Sequence, residues 1–353
     1  MRAAQYFGPG DIRITDIPEP EPPGRGMVTL KMLMGSVCGT DASIYRRAGT
    51  MNVPLFRPHP ISEHCGPVVL GHEVVGVVIE KGRGVDLEIG SRVVPSSGWS
   101  CGACPQCRAG RTSICQGYYL FGIHADGGFA EKASYPAAMC VPVPDQCSTE
   151  AAAMAQPCAI GLHAINRAGI REHQTIVVFG VGGIGSLVLA LLRARWGEAL
   201  PIIAVDIDDQ KLQTAEQLGA THTINSQAAD PVEAIREWAR GYGPDIAFDA
   251  TGVPAVIKQA FSSLASGGRL VQLGIPMYSV SLPFQEMTTQ EKEVLGSNGL
   301  TLRDLEQALD LLSHTDLAER IGYHIFDLTQ LVEGALVPLL NHRARKKCLI
   351  KLQ

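Results

Sequence analysis

Apolar and polar positions fall into two textures along this chain. Up to about residue 150, short runs that alternate or are β-branched dominate, as in "DIRITDI", "MVTLKML", "VVGVVIEKG" and "SRVVPSS". Turns rich in Pro and Gly, such as "PEPEPPGRG", separate them, and the pattern predicts an irregular, mostly antiparallel β domain. From about residue 170 strands alternate with helices. "TIVVFG", "PIIAVD", "THTIN", "DIAFDATG" and "RLVQLG" read as strands, and the amphipathic segments between them, such as "DQKLQTAEQLGA" and "VIKQAFSSLA", read as helices. That alternation predicts a parallel sheet covered on both faces, an α/β doubly wound domain. Further on, "TLRDLEQALDLLSHT" has helical spacing and "KKCLIKL" reads as a strand; the pattern alone assigns neither to a domain.

Length and composition agree with two domains. At 353 residues the chain exceeds what one core usually covers. Charged residues are 18% and apolar residues 46%, enough for buried strands and large interfaces. The net charge of −5 is spread along the chain, so neither nucleic acid nor an anionic membrane is an expected partner. The one basic run, "RARKK" at 343–347, reads as a solvated face. "MRAAQYFGPGDIRITD" has no apolar core of signal-peptide length before charges arrive, so a cytoplasmic location is expected. The long apolar run "IVVFGVGGIGSLVLALL" reads as a strand, a glycine cluster and a helix rather than a membrane span.

The glycine cluster changes the picture most. Gly180, Gly182 and Gly185 form G-x-G-x-x-G directly after a strand and opening a helix, with Gly183 and Ile184 between them. In that context the glycines permit a tight turn, close approach of a pyrophosphate and helix packing on the strand, while the helix N-terminus offers unpaired N–H groups. The next strand ends at Asp206, where a carboxylate accepts from both ribose hydroxyls and repels a 2′-phosphate. NAD is the expected cofactor. A simple turn for the glycines and a helix N-cap for Asp206 are the alternatives, and Asp208 and Asp209 read as caps or first-turn charges.

Ten cysteines are present, and Cys101, Cys104, Cys107 and Cys115 follow one another as C-x2-C-x2-C-x7-C. Four thiolates so close in sequence enclose one tetrahedral Zn²⁺ with no open position, a structural site; an iron–sulfur cluster is the competing use of four thiolates. Cys65, Cys140, Cys147 and Cys348 read as small buried hydrophobes. A second donor set is dispersed: Cys38 in "GSVCGTD", then His72 and Glu73 in "VVLGHEVVGVV". Each alone reads equally as packing, a satisfied core histidine or a salt-bridge partner. Converging, they would leave zinc an open coordination position, as catalysis requires.

Taken together, "CGTD", "GHEVVGVV", the cysteine lobe, "GVGGIG" and the terminal "VD" resemble, in the same order, the zinc-containing medium-chain dehydrogenases, the alcohol and polyol dehydrogenase family. The lead-in "RPHPISEHCGPVVLGHE" is most similar to the butanediol and sorbitol dehydrogenase branch, some of whose members lack the cysteine lobe. The resemblance implies a GroES-like catalytic domain with a structural zinc lobe over 1–157, a Rossmann NAD-binding domain over 158–295, and a segment over 296–353 that returns to the catalytic domain. The active site of the family lies in the cleft between domains. The resemblance further implies Cys38 and His72 as catalytic zinc ligands, Glu73 as a constant or reversible ligand, Thr40 as the group that hands the alcohol proton outward, and Asp41 as the residue that orients His72. Zinc then activates the substrate oxygen as a Lewis acid, and hydride passes to the nicotinamide.

Two positions depart from the family. Its members often carry His five residues after the cysteine to continue the proton relay; here that residue is Ser43, either a relay hydroxyl or a helix cap or surface hydroxyl. Where relatives place Cys, Asp or Glu, this chain has Gln156 in "AQPCAIGLHA", an amide suited to donate to a zinc-bound water or a substrate hydroxyl. Cys158, two residues on, is either packing or a displaced ligand. The expected function is a two-zinc, NAD-dependent dehydrogenase of a small secondary alcohol (diol, polyol, sugar or cyclitol), acting as a homodimer or homotetramer. A threonine-type or simple alcohol dehydrogenase and a catalytically idle, crystallin-like cofactor-binding protein are the alternatives.

Overall fold

The run "MVTLKML" lies within Met27–Ser36, the central strand of a seven-stranded sheet in the computed structural model, which describes residues 1–46, 52–341 and 343–353. The chain divides into two compact units, Met1–Ala159 with Leu300–Gln353, and Ile160–Gly299, the division falling inside the helix Ala155–Ala168. In the first unit the strands lie in the order Cys140–Pro142, Arg92–Pro95, Val74–Lys81, Met27–Ser36, Lys347–Lys351 and Tyr323–Asp327, with Lys132–Pro136 also paired to Met27–Ser36. All pairs are antiparallel except Tyr323–Asp327 with Lys347–Lys351, which is parallel.

Register brings distant residues to one end of this sheet. Gly35 faces Val74 and Ser36 faces Leu349, so one strand finishes where its two antiparallel neighbours begin. The ladders continue one step further, Ser36 N–H donating to Glu73 O at 2.8 Å and Val37 N–H to Cys348 O at 2.9 Å. Cys38, Glu73 and Lys347 are therefore neighbours although the chain separates them widely. Val28, Leu30, Met32, Val74, Val78, Phe129 and Ile350 fill the core beneath; each such side chain contributes about 1.5–3 kcal/mol by leaving water.

The second unit carries a six-stranded, wholly parallel sheet, formed in sequence by Ile176–Phe179, Ile202–Asp206, His222–Asn225, Ile246–Asp249, Arg269–Gln272 and Glu293–Gly296. Their spatial order is third, second, first, fourth, fifth, sixth. The order reverses beside the first strand, where open α/β sheets bind ligands at the carboxyl ends. Ile176–Phe179 is buried throughout, and the glycine loop follows it into the helix Gly183–Trp196, so the long apolar run is a strand, a turn and a helix. Among the described residues no helix is long and apolar enough to cross a membrane. Asp208 caps the helix Asp209–Leu218 by accepting from Gln210 N–H and Lys211 N–H, and left-handed Gly219 closes it.

The loop glycines divide by space. Gly180 has φ +79°, and a Cβ there would overlap Thr251; one on Gly185 would overlap the carbonyl oxygen of Gly180; one on Gly183 would meet nothing within 4 Å. Gly185→Ala is thus expected to destabilise the protein by about 1–3 kcal/mol through overpacking, whereas Gly183→Ala leaves stability unchanged. Urea denaturation of both variants checks this, and equal stabilities would refute the close helix–strand contact.

Candidate active site

The four-cysteine lobe is a loop carrying the short helix Pro105–Arg108 and the single turn Thr112–Ile114. Sγ–Sγ separations are 3.5 Å for Cys104–Cys107 and Cys101–Cys115, 3.9 Å for Cys104–Cys115 and 4.0 Å for Cys101–Cys107. A tetrahedral zinc with Zn–S of about 2.3 Å requires sulfurs about 3.8 Å apart, so the four thiols fit the ion. Backbone amides also point at the sulfurs: Cys101 N–H and Gly117 N–H donate to Cys115 Sγ, and Cys104 N–H to Cys101 Sγ, each at 3.3 Å. Such donors stabilise thiolates. Those on Cys104, from the backbone of Gln116 and Cys107, hold its thiol down to about 6, whereas desolvation and neighbouring thiols push Cys107 up to about 12.

The second donor set sits at the strand ends described above. Ligand atoms of Cys38, His72 and Glu73 all lie within 4.8 Å of one another, with His72 and Glu73 buried. Cys38 precedes the helix Gly39–Arg46, and Asp41 in its first turn is turned toward both Cys38 and His72. Oδ2 accepts from Cys38 N–H at 2.9 Å, and Oδ1 faces His72 Nδ1 at 3.4 Å. Burial works against a charge on His72, but Asp41 and then Cys38 raise its pKa well above the ordinary histidine value. Thiolate, imidazole and carboxylate form a donor set that fits zinc with one position open. Thr40 lies half-buried two residues after Cys38.

Glu73 is 1% exposed, and its charge is answered within the unit. Oε2 takes a hydrogen bond from Ser36 Oγ and an ion pair from Lys347 Nζ at 2.7 Å; Lys347 also donates to Val37 O at 3.1 Å. Burial opposes the ammonium, yet Glu73 and, beyond it, Cys38 hold the Lys347 pKa above its usual value. Arg343, Arg345 and Lys346 are exposed, as the reading of "RARKK" as a solvated face expects, and Lys347 is the exception. This last residue is an internal counter-ion, and the signal for it was the start of a strand at "KKCLIKL". Cys65, expected to be buried, is exposed, whereas Cys140, Cys147 and Cys348 are buried.

The departures resolve as follows. Ser43 Oγ donates to Gly39 O, four residues back at 2.9 Å, so its proton is committed to its own helix rather than to a cap. Gln156 is 3% exposed; Nε2 donates to Ser97 Oγ at 2.9 Å and Oε1 is buried without a partner. One N–H of the amide is thus taken and the acceptor end is bare, so an acceptor role stands beside the donor role expected from sequence. Cys158 is fully buried and its thiol is pushed up to about 12 by burial, with the charges of Lys347 and Glu73 acting on it. It stands outside the donor cluster as a neutral thiol.

In the parallel-sheet unit, Asp206 Oδ2 accepts from Val181 N–H of the glycine loop at 2.9 Å, and Oδ1 from Ile207 N–H at 2.8 Å and Asp208 N–H at 3.2 Å. Lys211 Nζ stands 3.7 Å from Asp206 Oδ1 and is the nearest atom to a Cβ placed on Gly182, at 4.0 Å. Sequence reading missed this lysine. Gly182, Gly183 and Ile184 begin the helix, whose first N–H groups, with Lys211, form an anion cradle. The space a Cβ would occupy at Gly183 is open, so the loop fits a dinucleotide pyrophosphate.

Residues 24–145 match the family model described as alcohol dehydrogenase GroES-like domain, and residues 183–314 the one described as zinc-binding dehydrogenase. The chain is 33% identical to an uncharacterized zinc-type alcohol dehydrogenase-like protein of Haemophilus influenzae, covering 86% of this chain and 85% of that one. It is 31% identical to (R,R)-butanediol dehydrogenase of Bacillus subtilis over 99% of both chains. The crystal structure of 2R,3R-butanediol dehydrogenase from Bacillus subtilis superposes with TM-score 0.90 at 30% identity, covering 100% of this chain and 99% of that one. An alcohol dehydrogenase, RspB, of Escherichia coli CFT073 in complex with NADH superposes with TM-score 0.89 at 27% identity, covering 99% of each.

Replacing Lys347 by Met leaves the Glu73 carboxylate buried without its cation. The zinc-loaded protein is expected to lose about 3 kcal/mol of stability, with part regained in the Lys347→Met, Glu73→Gln double variant. A loss below about 1 kcal/mol in urea denaturation would mean that the pair is not structurally important.

Proposed function

The chain belongs to the zinc-containing medium-chain dehydrogenase family, whose members are zinc- and NAD(P)-dependent alcohol dehydrogenases, and on that premise we propose the following reading. The protein oxidises a secondary alcohol of the diol, polyol, sugar or cyclitol class, with NAD preferred over NADP. Cys38, His72 and Glu73 hold the catalytic zinc, and Cys101, Cys104, Cys107 and Cys115 a structural one. The observation that carries this is the donor set within 4.8 Å, a buried and incomplete coordination sphere for which a purely structural protein has no use. The resemblance to a butanediol dehydrogenase across 99% of both chains supports the diol and polyol class.

When bound, zinc supplies Lewis acidity toward the substrate oxygen and the nicotinamide accepts a hydride. The chain's own residues do the rest. Asp41 holds the His72 ring so that its other nitrogen faces the metal position. Lys347 and Ser36 share the charge of Glu73, so that carboxylate can draw toward or away from the metal at lower cost. Thr40 passes the alcohol proton outward, and Ser43 takes part only as an acceptor, because its own proton is bonded to Gly39. Gln156, in the same helical turn as Cys158, presents a bare amide oxygen that accepts from a hydroxyl beside the reacting carbon. Such a contact favours vicinal diols over simple alcohols. It also leaves one negative charge fewer beside the metal than in relatives with an acid at that position.

Asp206 accepts from three backbone donors and keeps lone pairs for the ribose hydroxyls, and its charge disfavours a 2′-phosphate. We further propose a homodimer or homotetramer in a reducing, cytoplasmic setting. Exposed Ile275, Met277, Tyr278, Phe284 and Val294 support self-association, and the clustering of four cysteines in a metal-binding rather than a disulfide arrangement supports the compartment.

Metal analysis and nicotinamide absorbance test the reading together. Two zinc ions per chain and turnover of diols or polyols with NAD are expected. Absence of turnover with NAD or NADP across diols, polyols, sugars, cyclitols, threonine and simple alcohols would sink it. Asp206→Gly should shift preference toward NADP by about tenfold or more, and unchanged selectivity would remove its assigned role. Gln156→Leu should raise KM for a vicinal diol about tenfold, the size of one neutral hydrogen bond, while zinc content stays at two. Loss of one zinc in that variant would instead make Gln156 a ligand.

A further inference from the structure

One group of rings in the β-rich unit has no part in the reading above. Trp99 and Tyr119 are stacked, their centroids 5.9 Å apart and their planes at 17°. Tyr119 meets His59 edge-on at 6.0 Å, and His59 lies flat on His124 at 4.7 Å and 14°. Behind them Tyr119 packs on buried Phe121, and Phe121 on buried Tyr135. The four outer rings are half-buried, so the group is a wall with a fixed back and an open face.

Both imidazoles have their protons placed by the backbone. His59 Nδ1 accepts from Ser62 N–H at 3.2 Å and Ile61 N–H at 3.4 Å, and His124 Nδ1 accepts from Leu120 N–H at 3.1 Å. A neutral ring that accepts at Nδ1 carries its proton on Nε2. Burial, and then the His59 charge, hold His124 down at about 4, and burial lowers His59 as well, so both rings are neutral near pH 7. Each therefore offers a ligand one thing, an uncharged N–H donor.

The wall is laced to the segment that leads into the metal donors. Gly127 N–H donates to Val69 O, Phe129 N–H to Leu70 O and Gly128 N–H to Gly71 O, all within 2.9 Å, and His72 follows directly. Val69 N–H donates to Asp126 Oδ1 at 2.8 Å, and Ser62 Oγ to the carbonyl of His124. The segment that follows His124 thus runs beside Val69, Leu70 and Gly71, next to His72, and Ser62 ties the His59 loop to it.

We propose that Trp99, Tyr119, His59 and His124 form a recognition wall for an uncharged cyclic polyol, a cyclitol or pyranose sugar, whose C–H face packs on the rings and whose hydroxyl oxygens accept from the two Nε2–H groups. The proposal narrows the substrate class of the preceding subsection and rests on it. Rigid flat rings match the face of a rigid cyclic substrate, which loses few rotamers on binding. An acyclic diol has no such face, and two neutral donors favour a neutral ligand over an anion.

The test uses zinc-loaded protein with NAD, and myo-inositol, D-glucose, (R,R)-2,3-butanediol and inorganic phosphate as probes. In the wild type, imidazole ¹⁵N signals of His59 and His124 should show the Nε2–H form and move with inositol or glucose. His124→Asn keeps an acceptor for Leu120 N–H but lacks the outer donor. It should weaken binding of the cyclic probe about tenfold by ligand-observed NMR while butanediol changes less than twofold. His124→Gln, with an amide near the Nε2 position, should recover part of the loss, and Trp99→Leu should weaken the cyclic probe alone. Should a variant fold poorly, seen as fewer than two zinc ions per chain, the wild-type ¹⁵N titration decides. Imidazole signals unmoved by cyclic probes, equal weakening of butanediol, or larger shifts with phosphate than with inositol would each overturn the wall. If the protein oxidises no alcohol but inositol still moves both rings, the wall stands and the enzymatic reading fails. If it oxidises acyclic diols with the rings unmoved, the enzymatic reading stands and the wall fails.

Discussion

A carboxylate with 1% exposure needs a compensating positive charge close by, and in this protein that need ties together three strands that are remote in sequence. Glu73 directly precedes Val74–Lys81, Ser36 closes Met27–Ser36, and Lys347 opens Lys347–Lys351. Antiparallel pairing brings the three ends to one edge of the sheet, and only there can the hydroxyl and the ammonium reach the same carboxylate oxygen. Cys38 and His72 are held in the same place by the residues on either side of them. The metal donors sit just beyond the strand ends and are thus a product of strand register, which a slip of one residue would disrupt.

Such a site divides unevenly between what can be read from sequence and what cannot. The cysteine lobe and the glycine loop are local: their ligands or backbone groups come from one short segment, so spacing alone implies a geometry. Cys38, His72 and Glu73 were legible as residue types in motifs, but their convergence depends on pairing between strands. Lys347 was not legible, because its partner lies across the whole chain and "RARKK" looks like any solvated basic run. Its inward turn follows from a single feature, the strand that begins on it. Lys211 escaped for a related reason: a lysine in the first turn of a surface helix has no distinctive pattern until the glycine loop is set beside it.

Gln156 and Ser43 show a different limit. A side-chain amide has a donor end and an acceptor end, and sequence cannot say which one remains free. Ser97, from another strand end, accepts one N–H of Nε2, and Oε1 is left bare. A serine hydroxyl in a helix likewise reads as relay or as surface until its proton is located, and here the carbonyl four residues back takes it. The fold class, by contrast, was legible throughout, since alternation of period two gave way to strand–helix alternation at a place the chain itself marks with Pro and Gly.

The pairing of Glu73 with Lys347 also sets an order of events during synthesis. Cys38, His72 and Glu73 emerge early, together with all four lobe cysteines, whereas the cation that neutralises Glu73 is made near the end. At about 5–20 residues per second a ribosome needs roughly 15 to 55 s to travel from one to the other. Over that interval the nascent chain holds a soft, acidic donor set without its internal cation or the strand that completes the sheet edge. A metal ion captured then would meet a carboxylate not yet neutralised by the protein. The mature site, with its charge already balanced by Lys347, is assembled only after translation has passed the final strand.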